Sequence, residues 1–130
     1  MKKILMLFSV ILSFTLMTAL KADNQPEFKF ETETHDFGKI PQGKPVSYEF
    51  KFTNVGDQPL IISAVEPTCG CTVADYTKTP VKKGEAGNIK LTFNAAVASS
   101  FTKAVTVKSN AKTPVKVLYI KGEVVSSNSK

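Results

Sequence analysis

The chain has 130 residues, room for one domain, and 42% of them are hydrophobic, enough to build a core. Its formal charge is +6, but all 17 basic side chains are Lys, so the planar guanidinium fork that reads guanine edges and clamps phosphates is absent. This argues against a nucleic-acid reader. With one His and two Cys the chain lacks the ligands for a four-cysteine or a two-cysteine, two-histidine structural zinc site.

Met1-Lys2-Lys3 is a basic head, Ile4 to Leu20 is apolar, and the composition turns polar at Lys21-Ala22-Asp23. That order matches a secretory signal peptide, so residues 1–22 are expected to form a signal-peptide helix removed after Ala22, with 23–27 a short linker. The apolar run, positions 4 through 20, is at the lower limit of a bilayer span, which makes an uncleaved membrane anchor the alternative. No Cys lies here, which excludes lipoprotein processing. Cleavage would leave 108 of the 130 residues and remove Lys2, Lys3 and Lys21, lowering the charge from +6 to +3, too little to steer an anionic partner strongly.

From Phe28 onward the hydrophobic period is two. Phe28, Phe30 and Thr32 alternate with Lys29, Glu31 and Glu33, and a first strand ends near His35; Val46, Tyr48, Phe50 and Phe52 alternate with Ser47, Glu49, Lys51 and Thr53. Leu60 to Val65 is more continuously apolar, Ile89, Leu91 and Phe93 alternate again, as do Val105 and Val107, and Val115 to Val125 is another apolar run. Turns are expected at Asn54–Pro59, Lys82–Gly87 and Ser109–Pro114, with Pro41, Pro45, Pro59, Pro67, Pro80 and Pro114 beside strands. The pattern predicts an all-β fold, an immunoglobulin-like sandwich of about seven antiparallel strands over 28–125, followed by a flexible tail at 126–130. Phe50, Phe52, Phe93 and Phe101 are expected in its core.

Cys69-Gly70-Cys71 is the local constellation that could carry chemistry. Its two cysteines form a disulfide, hold a soft metal such as Cu(I), or stay reduced as part of a structural turn. A three-residue loop is worth only about 1.6 kcal/mol of chain entropy, so a bridge here is a poor staple and redox exchange is the sharper reading. Gly70 is expected to shape the turn so that both sulfurs face one way. For Cu(I), His35 is the candidate third ligand: if successive strands run antiparallel, the strand ends at His35 and Cys69 and the loop Ala95 to Ser100 share one pole. The simpler reading makes His35 a strand-end or turn residue. No hydrolytic triad is visible: His35 and Asp36 are neighbours whose side chains diverge on a strand, and no Gly-x-Ser-x-Gly motif occurs.

His35-Asp36-Phe37-Gly38-Lys39-Ile40, Gly43, Tyr48 to Gly56, Pro59-Leu60-Ile61-Ile62 and Cys69-Gly70-Cys71-Thr72 together resemble a widespread bacterial envelope domain of unknown function with a Cys-Gly-Cys-Thr hallmark. That family is similar to the Ig-like modules of the ASH, MSP and Hydin group. The resemblance spans about residues 28 to 125 and implies an Ig-like sandwich exported to the periplasm or cell surface; it implies no activity. The expected role is an exported binding or structural module of the envelope, not an enzyme and without a cofactor. Another envelope protein is the expected partner, met through an exposed strand edge. The alternative is a thiol-dependent redox or Cu(I)-binding protein acting through Cys69 and Cys71. A third reading is a membrane-tethered assembly subunit with Ile4 to Leu20 uncleaved.

Overall fold

Alternation becomes strands wherever the sequence carries it. The computed structural model describes residues 25–126, in which every regular element is a β-strand. The expected signal peptide at 1–22 and the tail residues 127–130 lie outside the described residues. The strands are β1 (Phe28–Phe30), β2 (Thr34–Pro41), β3 (Val46–Asn54), β4 (Ile62–Pro67), β5 (Thr72–Tyr76), β6 (Ala86–Phe93), β7 (Ser100–Ser109) and β8 (Val115–Val125). They build two four-stranded sheets, ordered β1-β3-β6-β5 and β2-β8-β7-β4.

The core lies between the sheets. On β3, Phe50 and Phe52 are 0% and 1% exposed, while Glu49 and Lys51 project into water. Ile89 and Leu91 of β6 join them from the same sheet, and Val105, Val107, Leu118 and Ile120 come from the facing one. Each such side chain contributes roughly 1.5–3 kcal/mol when fully buried. Phe93 and Phe101 are buried too, as the alternation predicts.

Three features differ from the sequence expectation. The predicted first strand is two strands: the chain bends at Glu31–Glu33, where the Thr32 hydroxyl donates to the Thr34 carbonyl at 2.8 Å, and β2 continues in the opposite sheet. In its new sheet β2 runs parallel to β8, pairing Thr34 with Tyr119 and Ile40 with Val124, so the sandwich is not wholly antiparallel. A parallel pair needs a long connection rather than a hairpin, and here most of the chain lies between the two partners. Pro41 and Pro67 close β2 and β4 instead of standing outside them; both strands are sheet edges, where a missing N–H does not break a ladder.

One end of the sandwich is tied by a buried amide. Asn54 is 0% exposed, and its Oδ1 accepts the N–H groups of Glu27 (3.2 Å) and Gly56 (3.0 Å). Its Nδ2 donates to the carbonyls of Gln58 (2.6 Å) and Val81 (2.9 Å). Four bonds satisfy the amide fully and fasten the start of β1 and the turn after β3 to the segment before β6. Gly56 belongs to the same closure: a Cβ there would meet the Gln25 carbonyl oxygen at 2.2 Å and the Pro26 Cα at 2.5 Å.

Candidate functional site

The cysteines lie at the opposite end, in the turn from β4 to β5. Hydrogen bonds hold this turn at three points. The Thr68 N–H donates to the Ala104 carbonyl of β7 at 3.2 Å, the Thr72 N–H closes the turn onto the Cys69 carbonyl at 3.2 Å, and the Asn94 N–H, just past β6, donates to the Cys71 carbonyl at 3.0 Å. Cys69 and Cys71 are disulfide-bonded, with Cα atoms 5.2 Å apart. The pair is therefore oxidised in this structure.

The two sulfurs are not equivalent. The Cys71 backbone N–H donates to Cys69 Sγ at 3.1 Å, whereas Cys71 Sγ has the Thr72 hydroxyl at 3.9 Å. Both cysteines are half-buried and Gly70 between them is exposed. The turn-shaping role expected of Gly70 finds no steric basis: its φ lies outside the left-handed region, and a Cβ there would meet nothing within 4 Å.

On its inner side the bridge lines a cavity of about 330 Å³. Phe93 and Phe101 form the floor, stacked with centroids 4.1 Å apart; Lys103 stands in the wall and Val97, 70% exposed, at the rim. The loop between β6 and β7 therefore reaches the Cys turn, as its place in the strand order predicts. It is set by Ala95, a buried residue at φ 54°, whose carbonyl accepts the Gly43 N–H at 2.8 Å, and by Gln42 Nε2 donating to the Ala96 carbonyl at 3.0 Å. A second hollow, about 340 Å³ over the bulge of β2, carries both signs of charge in Asp36, Lys39, Lys121 and Glu123.

His35 is not brought to the cysteines. β2 and β4 are opposite edges of one sheet with β8 and β7 between them, three strand spacings or roughly 14 Å. The imidazole instead stacks on Tyr48 of the facing sheet at 3.7 Å and 8°, with the edge of Phe37 at 4.6 Å. Asp36 is occupied with the backbone: its Oδ1 accepts the Gly38 N–H at 2.8 Å where β2 bulges, Gly38 sitting at φ +67°. Among the described residues no group of three or more His, Cys, Asp or Glu side chains is placed to hold a metal ion. Sequence reasoning brought the loop of Val97 to this pole but missed Lys103 as a neighbour of the bridge, since only the fold joins 69–71 to 103. It also read Asn54 merely as the start of a turn, although Asn54-Val55-Gly56 stood among the resemblance motifs.

Two facing four-stranded sheets enclosing one core define an immunoglobulin-like sandwich. The sequence places it further: residues 28–124 match the family described as protein of unknown function (DUF1573), and the chain belongs to that family. No curated protein matches the chain. Among solved structures it is similar to a protein of unknown function from Porphyromonas gingivalis W83, with 18% identity and a TM-score of 0.69, covering 84% of this chain and 51% of that one. It is also similar to an ASH/PapD-like domain of human CEP192, with 10% identity, a TM-score of 0.65 and coverage of 87% and 95%. The Vibrio cholerae VesB protease shares the fold at 16% identity and a TM-score of 0.62, over 78% of this chain and 32% of the protease. The chain thus spans about half of the Porphyromonas protein and a third of the protease. At these identities the likeness is one of fold.

Proposed function

We propose that the chain is an exported binding module of the cell envelope that joins another protein through the open edge of β5 and catalyses no hydrolytic reaction. The observation that carries this reading is the contrast among the four sheet edges. β2 is broken by its bulge, β4 shifts register between Ile62 and Ala64 and ends in Pro67, and β1 has three residues. Among the described edges, β5 alone keeps unbroken register over more than three residues, all five of its own pairing with β6.

Its pairing also fixes which peptide groups face outward. The Asn94 N–H bonds the Cys71 carbonyl and the Thr77 N–H bonds the Asn88 carbonyl, so in the same register Val73 and Asp75 bond β6. The peptide groups of Thr72, Ala74 and Tyr76 point out of the sheet. The N–H groups of Thr72 and Tyr76 are taken by the Cys69 carbonyl and Asp75 Oδ1, which leaves the Ala74 N–H and three carbonyls for an added strand. Val73, 66% exposed, offers apolar area beside them. Export is supported by the basic head, apolar run and polar turn of residues 1–23, and membrane contact follows only where that segment stays uncleaved. The Arg-free composition supports no nucleic-acid partner.

The test places a photo-reactive residue at Val73 in living cells and compares the native chain with Ala74→Pro, which deletes the outward N–H and spares the ladder to β6. The reading expects a cross-linked adduct of defined mass that disappears in Ala74→Pro at unchanged fold. No adduct, or one indifferent to Ala74→Pro, would overturn it. N-terminal sequencing of the same material expects Asp23 as the first residue; Met1 would place the module on a membrane anchor.

A further inference from the structure

We propose that the Cys69–Cys71 bridge is a thiol-exchange site for the cysteine thiols of a partner protein, with Cys71 the sulfur attacked and Cys69 the sulfur released. This inference does not rest on the β5 edge.

The first support is that the fold has little need of the bridge. A link across one intervening residue closes the shortest of loops and removes little chain entropy beside a longer bridge, and the turn is already held by the Thr68–Ala104, Thr72–Cys69 and Asn94–Cys71 backbone bonds. The second is access. Both cysteines line the cavity and are half-buried, and Gly70 between them is exposed. The third is polarity. An N–H aimed at Cys69 Sγ favours negative charge on that sulfur, and the sulfur that better carries charge is the better leaving group. Among the described residues Cys71 Sγ has no N–H donor; its polar neighbour is the Thr72 hydroxyl, at the longer distance of 3.9 Å. Lys103 in the cavity wall adds a cation for an approaching thiolate, while Phe93 and Phe101 supply an apolar floor that keeps that charge attraction from being fully screened by water.

A thiolate of the partner attacks Cys71 Sγ, forming a partner–Cys71 disulfide; the Cys69–Cys71 bond breaks and its electron pair leaves on Cys69 Sγ, facing the Cys71 N–H. A second thiolate of the same partner then attacks the partner sulfur of the mixed disulfide and releases Cys71. The partner leaves oxidised as a disulfide, and the two electrons and two protons of its thiols reside on Cys69 and Cys71. The reverse sequence oxidises the bridge again.

Glutathione is the probe. The full chain, purified without reductant, is treated with glutathione under native conditions, quenched with acid and read by intact and peptide mass. The expected result is opening whose rate rises with glutathione concentration, with the adduct on Cys71. Lys103→Gln slows it about threefold, as loss of one nearby cation should. In Cys71→Ser, which keeps the residue 71 N–H, the remaining Cys69 thiol alkylates with a midpoint at lower pH than that of Cys71 in Cys69→Ser. A bridge that opens only as the chain unfolds overturns the proposal, and so does an adduct on Cys69 in the native chain. Should either serine variant fail to fold, adduct position in the native chain decides alone. Loss of the Val73 adduct in cells, with glutathione exchange intact, would sink the binding reading and leave this one standing.

Discussion

The two ends of the sandwich are built on opposite principles. At the Asn54 end a fully buried amide spends all four of its hydrogen bonds on backbone, Gly56 lets the chain pass where a Cβ would strike the Gln25 carbonyl, and the start of β1 is laced to its neighbours by Val55–Glu27 and Lys112–Pro26 bonds. At the Cys69 end the bridge faces a cavity, Val97 stands in water, and a loop turns through the positive φ of Ala95. A closed end holds the fold, and that leaves the open end free to carry reactive groups and strain.

Substitutions should therefore weigh very differently at the two ends. Asn54→Ala removes four hydrogen bonds, taking their side-chain partner from the N–H groups of Glu27 and Gly56 and from the Gln58 carbonyl, while the Val81 carbonyl keeps the Leu60 N–H; it is expected to cost about 3–4 kcal/mol, read as a fall in the denaturant midpoint. Gly56→Ala pushes a methyl into immovable backbone at the same end and is expected to cost about 2 kcal/mol by the same measurement. At the open end, replacing both Cys69 and Cys71 by Ser should cost less than about 2 kcal/mol and leave the far-ultraviolet spectrum unchanged. A double variant that unfolded would erase the distinction between the ends.

The smallest effect belongs to the surface. Lys83 donates to Asp57 Oδ1 at 2.8 Å, and that hydrogen bond, with the carboxylate charge, raises the ammonium above the usual lysine value of 10.5. A raised lysine adds stability below its unfolded pKa and loses it as the pH climbs through the folded one. Asp57→Asn should thus leave the melting temperature at neutral pH within error of the native chain, and flatten only the decline above about pH 10.5. A large loss at neutral pH would show that this exposed pair helps to hold the closed end.

Much of this architecture was legible before any coordinates, because alternation is a local signal. Phe50 and Phe52 against Glu49 and Lys51 announce a strand and its inner face, and the Pro- and Gly-bearing turns bound the strands. What was hidden depends on partners distant in sequence. Nothing local says that the chain changes sheets at Glu31–Glu33, or that β2 aligns parallel with β8. Counting strands as strictly antiparallel put His35 beside the cysteines; the sheet change carries it to the far edge, onto Tyr48. The Cys turn itself could be picked out by its spacing, and the approach of the 95–100 loop followed from strand order. Its oxidation state and the N–H on Cys69 Sγ could not, since they depend on backbone torsions that Cys-Gly-Cys leaves free.

Hydrogen exchange on the native chain, oxidised and then opened with glutathione, tests the asymmetry most directly. Exchange should become faster after opening at residues 69–72 and 94–99, with the protection of the Asn54, Leu60 and Val81 amides unchanged. Loss of protection at Asn54 on opening the bridge would contradict it, because the bridge would then be a structural staple for the whole sandwich.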